Sequence, residues 1–463
     1  MSEVKNKKDE RFMRILLKIV LPITLQFFMF SLVPVCDAIM LVVLDQNSMS
    51  AVSLSSQVMF VYNLFNSALL SGLSMFAAQY WGKGDKKSIG KLACYVIKIV
   101  LPICLVFFGL TLFFPREVIS IYTNEPAIIV HAIRYLRVVS LAYIFDGVAQ
   151  VFATLLKNAD RVKESTILSI VMVLLNIACN AVFIYGLFGL PKMGAAGAAL
   201  GTTISFGFGF VGFAVMFFRL CDIPLKLKYF KNVNLSLRKS FSKYSTPTLV
   251  NSLMWGFGFN MITVIIGHLG ADAVAANAIV AIAKDLISCF CFALATGSII
   301  MVGNELGANN LERAKVYGSK LVHISIYSGI IAGIILAAST PIITHAVNLT
   351  PKATHYLTWM LIMCVYYMVG RSVNSTVISG IFTAGGDTKF GMICDTITMW
   401  AFIVPIGAIA AFILKWPVLV VFFLLNLDEI IKLPAVYIYY KKYNWVRNIV
   451  NEDVTADVVL EDN

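Results

Sequence analysis

The chain is poor in charged side chains. Asp, Glu, Lys and Arg together make up 13% of its 463 residues, whereas soluble domains carry roughly 25%. Hydrophobic residues make up 59% and form stretches long enough to cross a bilayer, separated by short polar connections. The pattern excludes an ordinary soluble domain and predicts an all-α polytopic membrane protein. Twelve transmembrane helices are expected near 14–41, 51–79, 92–114, 128–155, 165–190, 195–219, 244–268, 273–303, 317–347, 355–382, 390–414 and 417–440.

The chain also lacks the residue patterns of a metal centre, a disulfide framework or an enzyme. Its five histidines are scattered without metal-ligand spacing. Its nine cysteines lie within or at the ends of hydrophobic spans and are odd in number, which favours small buried hydrophobes over disulfides. An integral membrane enzyme would need a cluster of His, Asp or Ser near one face. We find none in the sequence, and therefore expect no cofactor and no enzymatic activity.

The basic residues give a formal net charge of +12, and their positions indicate topology. Most of the 37 Lys and Arg fall in the two termini and in alternate loops, at 83–91, 157–163, 219–243, 313–320 and 389. The loops on the other face hold six: Arg116, Arg134, Arg137, Lys192, Lys352 and Lys415. Lys and Arg accumulate in cytoplasmic loops, so both termini are predicted on the cytoplasmic side of the cell membrane. Membrane topology thus accounts for most of the basic residues, and we expect no nucleic-acid partner.

The two halves of the chain match each other at a lag of 225 residues. The matched pairs are Pro22 and Pro247, Leu44 and Leu269, Ala51 and Ala276, Gly72 and Gly297, Gly82 and Gly307, and Pro126 and Pro351. Six spans in each half make the repeat parallel, as in some transporters. We predict a cytoplasmic N-terminal segment, an N-lobe, a cytoplasmic linker, a C-lobe and a cytoplasmic tail, at 1–13, 14–218, 219–243, 244–440 and 441–463 respectively.

Asp37 is the strongest candidate for a functional residue. An ionisable group at bilayer depth costs about 2.5–3.5 kcal/mol on insertion scales, so it indicates function by default. Asp37 follows Pro34 by three residues, and a proline inside a helix removes one hydrogen bond and favours a kink. The carboxylate could exchange a proton with water or, when ionised, hold Na⁺ or a cationic solute. The alternative is a carboxylate that only packs helices together.

Two further groups of polar residues lie inside predicted spans. Asn176 and Asn180 are four residues apart and share one helix face, and Thr202 on the next span can join them and Asp37 in one polar cluster. The alternative is that they only hold helices together. The remaining charges and neighbouring aromatic residues are candidates for a solute cavity: Asp146, Trp255, Lys284, Asp285, Tyr366, Tyr367, Arg371 and Asp395.

Lys284 and Asp285 are adjacent, so their side chains point about 100° apart on a helix and pair poorly with each other. At least one is expected to face a water-filled cavity or a charge such as Arg371 or Asp146; a structural ion pair is the alternative. Lys98 is only seven residues from its loop and can extend its amine to the interface. We therefore leave Lys98 out of the candidates.

Several segments together resemble the multidrug and toxic compound extrusion (MATE) family over residues 15–440. They are the first span from Pro22 to Asp37, SGLSMFAAQYWGKGD with its counterpart TGSIIMVGNELGANN, LPKMGAAGAALGT, LGADAVAANAI and SGIFTAGGDTKFGM. The resemblance implies two pseudo-symmetric six-helix lobes around a V-shaped cavity, and efflux driven by entry of H⁺ or Na⁺. It also implies a cation site at Asp37, Asn176, Asn180 and Thr202.

The sequence departs from a common bacterial and archaeal pattern of that family at Asn180, where the pattern has Asp. An asparagine offers a carbonyl oxygen but no charge, which leaves the choice between H⁺ and Na⁺ open. Some relatives also carry an acid in the seventh helix, where this chain has NSLMW.

The combined interpretation is a monomeric secondary antiporter in the cell membrane. It would export amphipathic, cationic drugs or toxic organic compounds by alternating access, coupled to H⁺ or Na⁺. The nearest alternative is a flippase of lipid-linked oligosaccharide from the same wider superfamily, although the intramembrane acids at least balance the bases. A second alternative is a membrane receptor or scaffold, which predicts no ion-dependent flux.

Overall fold

The computed structural model describes residues 2–42, 46–231 and 235–451, and these ranges contain helices, turns and loops but no β-strand. Eleven helices are long and apolar enough to cross a membrane, in agreement with the predicted all-α polytopic fold. Their bounds are α1 Ser2–Val42, α2 Gln46–Lys83, α3 Lys86–Phe113, α4 Pro126–Asn158, α5 Val162–Tyr185, α6 Ala195–Leu220, α7 Leu235–Gly267, α8 Ala271–Gly307, α9 Leu311–Ala346, α10 Pro351–Phe382 and α11 Thr388–Ile413.

The predicted span at 417–440 is broken into three short helices, α12 Val418–Leu425, α13 Asp428–Ile431 and α14 Leu433–Tyr440. Each is too short to cross a bilayer alone. Pro434 stands in the first turn of α14, where its missing N–H costs least. The segment from Val418 to Tyr440 is therefore an interrupted helix, and several buried charged side chains lie where it is interrupted. The predicted tail at 441–463 lies outside the described residues from 452 onward.

The described chain divides into two compact units. The first unit is Leu25–Lys239, and the second comprises the described residues up to Thr24 together with those from Ser240 onward. The bounds of these units differ most from those of the predicted lobes, 14–218 and 244–440, at the start of α1, because this part of α1 packs in the second unit.

Specific contacts hold the start of α1 within the second unit. Asp9 pairs with Lys320 of α9, and the Phe12 ring meets the Tyr317 ring edge-on at 4.9 Å between centroids. Val20 lies so close to α8 that a Cβ added at Gly297 would stand 2.8 Å from its methyl group. Glycine at 297 is therefore required for this close approach.

Each unit has its own apolar core. In the first unit α6 lies close to α5, and a Cβ added at Gly197 would stand 2.7 Å from the Phe183 carbonyl. Small residues favour such close approach of membrane helices. In the second unit Leu336, Met360 and Val421 are fully buried in one cluster. Both packing arrangements fix the helices that carry the polar side chains described next.

Candidate functional site

Three helices of the first unit bring the predicted polar cluster together. Asp37 lies on the part of α1 that follows Leu25, Asn176 and Asn180 lie on α5, and Thr202 lies on α6. Two hydrogen bonds fasten α1 to α5 on either side of Asp37. Gln26 Nε2 donates to Ser169 Oγ at 2.8 Å, and Tyr185 Oη donates to the Met40 carbonyl at 2.9 Å.

The cluster is a continuous chain of hydrogen bonds. Asn180 Nδ2 donates to Asp37 Oδ1 at 2.7 Å and to Asn176 Oδ1 at 3.2 Å. Asn176 Nδ2 donates to Thr202 Oγ1 at 3.2 Å, and Thr202 Oγ1 donates to the Ala198 carbonyl at 3.0 Å. All four residues predicted for the cation site are thus connected, with Asp37 at one end.

Asn180 is the most enclosed member of the chain. It is fully buried, and its Oδ1 has no hydrogen-bond partner. Gly201 of α6 packs directly against this oxygen, and any side chain there would collide with it. An unsatisfied carbonyl oxygen in a buried site is an acceptor that a proton donor or a cation could use.

Asp37 is half-buried, and no Lys, Arg or His among the described residues forms an ion pair with it. The cluster therefore offers one carboxylate, two amide carbonyl oxygens and one hydroxyl with no cationic side chain to neutralise the carboxylate. Hard cations such as Na⁺ prefer oxygen ligands of this kind, and a bound proton would neutralise the same carboxylate. The residues present fit either ion.

Pro34 and Asp146, the two other candidates in the first unit, take no part in this chain of hydrogen bonds. The helix α1 continues without interruption through Pro34, so the kink stays a prediction. Asp146 on α4 is buried and accepts a hydrogen bond from Gln150 Nε2 at 3.2 Å. None of the described hydrogen bonds joins Asp146 to Asp37.

The second unit gathers the remaining candidates around Tyr367. Arg371 Nη1 donates to Tyr367 Oη at 3.0 Å, and the Arg371 guanidinium lies 5.8 Å from the Trp255 ring. Lys284 Nζ lies 4.3 Å from the centre of the Tyr367 ring. Tyr366 Oη is 3.4 Å from the Asn426 carbonyl. The faces of aromatic rings attract cations. Lys284 and Arg371 therefore interact favourably with the aromatic rings beside them.

Asp395 belongs to an ion-pair network that the sequence interpretation missed. Lys432 Nζ lies 3.0 Å from Asp395 Oδ1 and 3.2 Å from Glu429 Oε2, and all three side chains are largely buried. Asn251 Nδ2 donates to Asp395 Oδ2 at 2.9 Å. Asn251 belongs to NSLMW, the segment that has no acid. The network therefore connects α7, α11, α13 and the α13–α14 junction.

Glu429 joins this network to Arg371. Glu429 Oε1 lies 3.7 Å from Arg371 Nη1, and Asn374 Nδ2 donates to Glu429 Oε2 at 2.8 Å. The signal that could have revealed these residues was the run LNLDEIIKLP inside an apolar stretch. It holds three ionisable side chains that the sequence interpretation did not count as intramembrane charges, namely Asp428, Glu429 and Lys432.

The comparisons with known proteins agree with this architecture. The MatE family profile matches the chain twice, at residues 22–182 and 247–409. The two matches begin 225 residues apart (247 − 22), which is the lag found within the sequence.

Full-length relatives give the same result. The chain is 23% identical over 406 residues to "Uncharacterized transporter YisQ" of Bacillus subtilis, covering 88% of this chain and 89% of that protein. It is 24% identical over 412 residues to "Multidrug resistance protein MdtK" of Yersinia pseudotuberculosis, covering 85% and 86%. A crystal structure of a MATE protein in complex with MaL6 superposes with a TM-score of 0.84 at 16% identity, covering 92% of this chain and 95% of that one. The chain therefore belongs to the MatE family and is a MATE family secondary transporter.

Proposed function

We propose that this transporter is an antiporter that exports amphipathic organic solutes from the cytoplasm and is driven by H⁺ or Na⁺ entry. The observation that carries the proposal is the hydrogen-bonded chain from Asp37 through Asn180 and Asn176 to Thr202. A carboxylate without a cationic partner in a membrane protein is costly unless it binds an ion or a proton.

The proposed ion site uses the oxygens of this chain. Asp37 would supply the charge, and the Asn180 Oδ1 atom that has no hydrogen-bond partner would supply a neutral oxygen. A proton would bind to the Asp37 carboxylate alone. Na⁺ would also use the amide oxygens of Asn176 and Asn180, and the Asn180 amide would have to turn for this because its nitrogen faces Asp37 and Asn176. Because α1 is attached to α5 on both sides of Asp37, ion binding would alter the contact between these two helices.

Coupling requires that the ion and the solute favour different conformations. An ion can shift the conformational equilibrium only by the difference in its affinity for the two states. In the proposed cycle of alternating access, ion binding at Asp37 favours the state that has released its solute outside, and ion release inside restores solute affinity. A bend of α1 near Pro34 is the predicted local change.

The multidrug resistance name of the MdtK relative supports small organic solutes as the cargo. Within the second unit, the exposed Asp285 carboxylate favours a cationic solute, and the partly exposed rings of Trp255 and Tyr366 would pack against the apolar part of that solute. We place the protein as a monomer in the cell membrane with both termini in the cytoplasm, because Lys and Arg are concentrated in alternate loops.

The experiment that tests this function is dye efflux from vesicles that contain the purified transporter. A Na⁺ gradient and a pH gradient are imposed separately, and efflux is compared with that from vesicles lacking protein. Efflux driven by one of the two gradients supports an antiporter and identifies its ion. Efflux that depends on neither gradient would remove the antiporter proposal.

A further inference from the structure

A cavity of about 520 Å³ opens at one end of the second unit, far along the helices from the charges described above. It lies where α7 is followed by α8, where α10 begins and where α11 is followed by α12. Cavities of this size bind small molecules and headgroups. Its basic and aromatic lining residues are His268, His355, Tyr356, Lys415 and Trp416.

The charge in the wall of this cavity is of one sign. Lys415 is exposed, and no Asp or Glu among the described residues forms an ion pair with it. In the described chain no acidic side chain lines the cavity. Asp272, the acid nearest to His268 in the sequence, accepts a hydrogen bond from Thr350 Oγ1 at 2.6 Å. The cavity therefore favours an anionic ligand.

The backbone at Lys415 is held in a conformation that is unusual for lysine. Its φ is +50°, in the left-handed region where glycine is the ordinary residue after a helix. The Trp416 N–H donates to the Ala410 carbonyl at 2.9 Å and fixes this turn. Glycine would adopt the turn with less strain, so a lysine here indicates that its side chain has a use.

Two other groups add to the positive character of the cavity. His268 Nδ1 lies 2.9 Å from the Val264 carbonyl and must be the donor, because a carbonyl only accepts. Its Nε2 remains available and, once protonated, can donate to an anion. Val418 and Leu419, the first residues of α12, also line the cavity. Their N–H groups have no partner within the helix, and this helix end attracts negative charge.

The surface around the cavity is apolar. The exposed large side chains there are Trp359, Phe412, Ile413, Leu414 and Trp416. Tryptophan gathers where the hydrocarbon of a bilayer meets its headgroups. The α7–α8, α9–α10 and α11–α12 connections belong to the face with few Lys and Arg, which is the predicted outer face. A ligand in this position therefore meets both headgroup-level charge and acyl chains.

We propose that this cavity binds the headgroup of an anionic phospholipid from the outer leaflet of the membrane. The Lys415 ammonium pairs with the lipid phosphate, and the first N–H groups of α12 face the same charge. Tyr356 and Trp416 pack against the glycerol and the start of the acyl chains. The lipid thereby contacts three connections of the second unit, at a site that does not include the residues proposed to bind the ion or the exported solute.

Quenching of tryptophan fluorescence by brominated lipids tests this site. Full-length transporter is reconstituted in phosphatidylcholine vesicles that contain increasing fractions of phosphatidylglycerol brominated on its acyl chains. A parallel series uses brominated phosphatidylcholine. The signal of Trp416 is the difference between each protein and its own Trp416→Phe counterpart. Brominated phosphatidylglycerol is expected to reach half-maximal quenching of Trp416 at a several-fold lower fraction than brominated phosphatidylcholine.

Substitutions at Lys415 separate its charge from its place in the turn. Lys415→Gln and Lys415→Gly are expected to reduce the preference for phosphatidylglycerol about fivefold, the effect of one lysine at an anionic membrane surface. Lys415→Arg should keep the preference. Because glycine tolerates the positive φ, Lys415→Gly should unfold at or above the wild-type temperature. Lys192→Gln, in an outer connection of the first unit, is the matched control and should leave the preference unchanged.

Equal quenching of Trp416 by the two lipids in the wild type would overturn the proposal. An unchanged preference in Lys415→Gly would overturn it as well, and thermal unfolding shows that this variant is folded. Inorganic phosphate is added in a further arm. If it removes the preference more than sodium chloride of the same ionic strength does, the site belongs to a soluble anion and the lipid proposal fails. No ion gradient is used, so these outcomes are independent of the antiporter proposal.

Discussion

At the scale of the residue, Asn180 is where this chain departs from the acidic pattern of the family it resembles. Its amide nitrogen holds Asp37 at 2.7 Å, so an aspartate there would place two carboxylates together. Two adjacent carboxylates share a proton or enclose a cation. We expect Asn180→Asp to lower the Na⁺ concentration for half-maximal efflux several-fold, as measured in vesicles. An unchanged Na⁺ response would exclude Asn180 as an ion ligand, and exposed Asn124→Asp is the matched control.

Gly201 provides a second test at this scale. A methyl group there would collide with Asn180 Oδ1, whereas at Gly207 on the same helix it would stand 3.5 Å from the Phe145 ring, an ordinary contact. Overpacking costs about 1–3 kcal/mol, so Gly201→Ala should lower the thermal unfolding temperature and impair ion coupling. Gly207→Ala should behave like wild type. Equal stability of the two variants would contradict the packing described for Asn180.

At the scale of the element, the interrupted helix α12–α14 depends on Lys432. Its ammonium lies between Asp395 and Glu429, and removing one partner of a buried ionic group costs about 3–5 kcal/mol. Lys432→Met is therefore expected to destabilise the protein strongly in detergent-solubilised thermal unfolding. Adding Asp395→Asn should recover part of the loss, and Lys441→Met, at an exposed position, should have little effect. A Lys432→Met protein as stable as wild type would refute the ionic role.

The sequence predicted long helices well and their interruptions poorly. Hydrophobic length alone identifies α1–α11, because a bilayer-spanning helix needs about twenty apolar residues. The sequence also indicated Asn176, Asn180 and Thr202 as partners of Asp37, since helical spacing places the two asparagines on one face. It could not indicate that LNLDEIIKLP breaks the last span, because the buried charges there are stabilised by Asp395 and Arg371, which are distant in sequence.

At the scale of the whole molecule, the repeat at a lag of 225 residues preserves the arrangement of the helices but not their polar side chains. The MatE profile matches both halves, yet Asp37 falls opposite Ile262 at this lag. The start of α1 up to Thr24 also packs in the second unit, which hydrophobicity could not predict because it does not specify a packing partner.

The distribution of Lys and Arg predicts that both termini are cytoplasmic. A fluorescent protein fused after Asn463 should fluoresce in whole cells, and alkaline phosphatase fused there should be inactive. The same reporters inserted after Asn348, in the loop between α9 and α10 on the face with few basic residues, should give the opposite result. Active phosphatase at the C-terminus would reverse the predicted orientation.

The central claim is that Asp37 couples ion entry to solute export. Its most direct test compares gradient-driven dye efflux in vesicles containing wild type, Asp37→Asn or Asp222→Asn, the last being an exposed aspartate paired with Lys86 on the surface. We predict that Asp37→Asn abolishes the gradient-dependent part of efflux while Asp222→Asn retains it. Gradient-driven efflux by Asp37→Asn at the wild-type rate would contradict the claim.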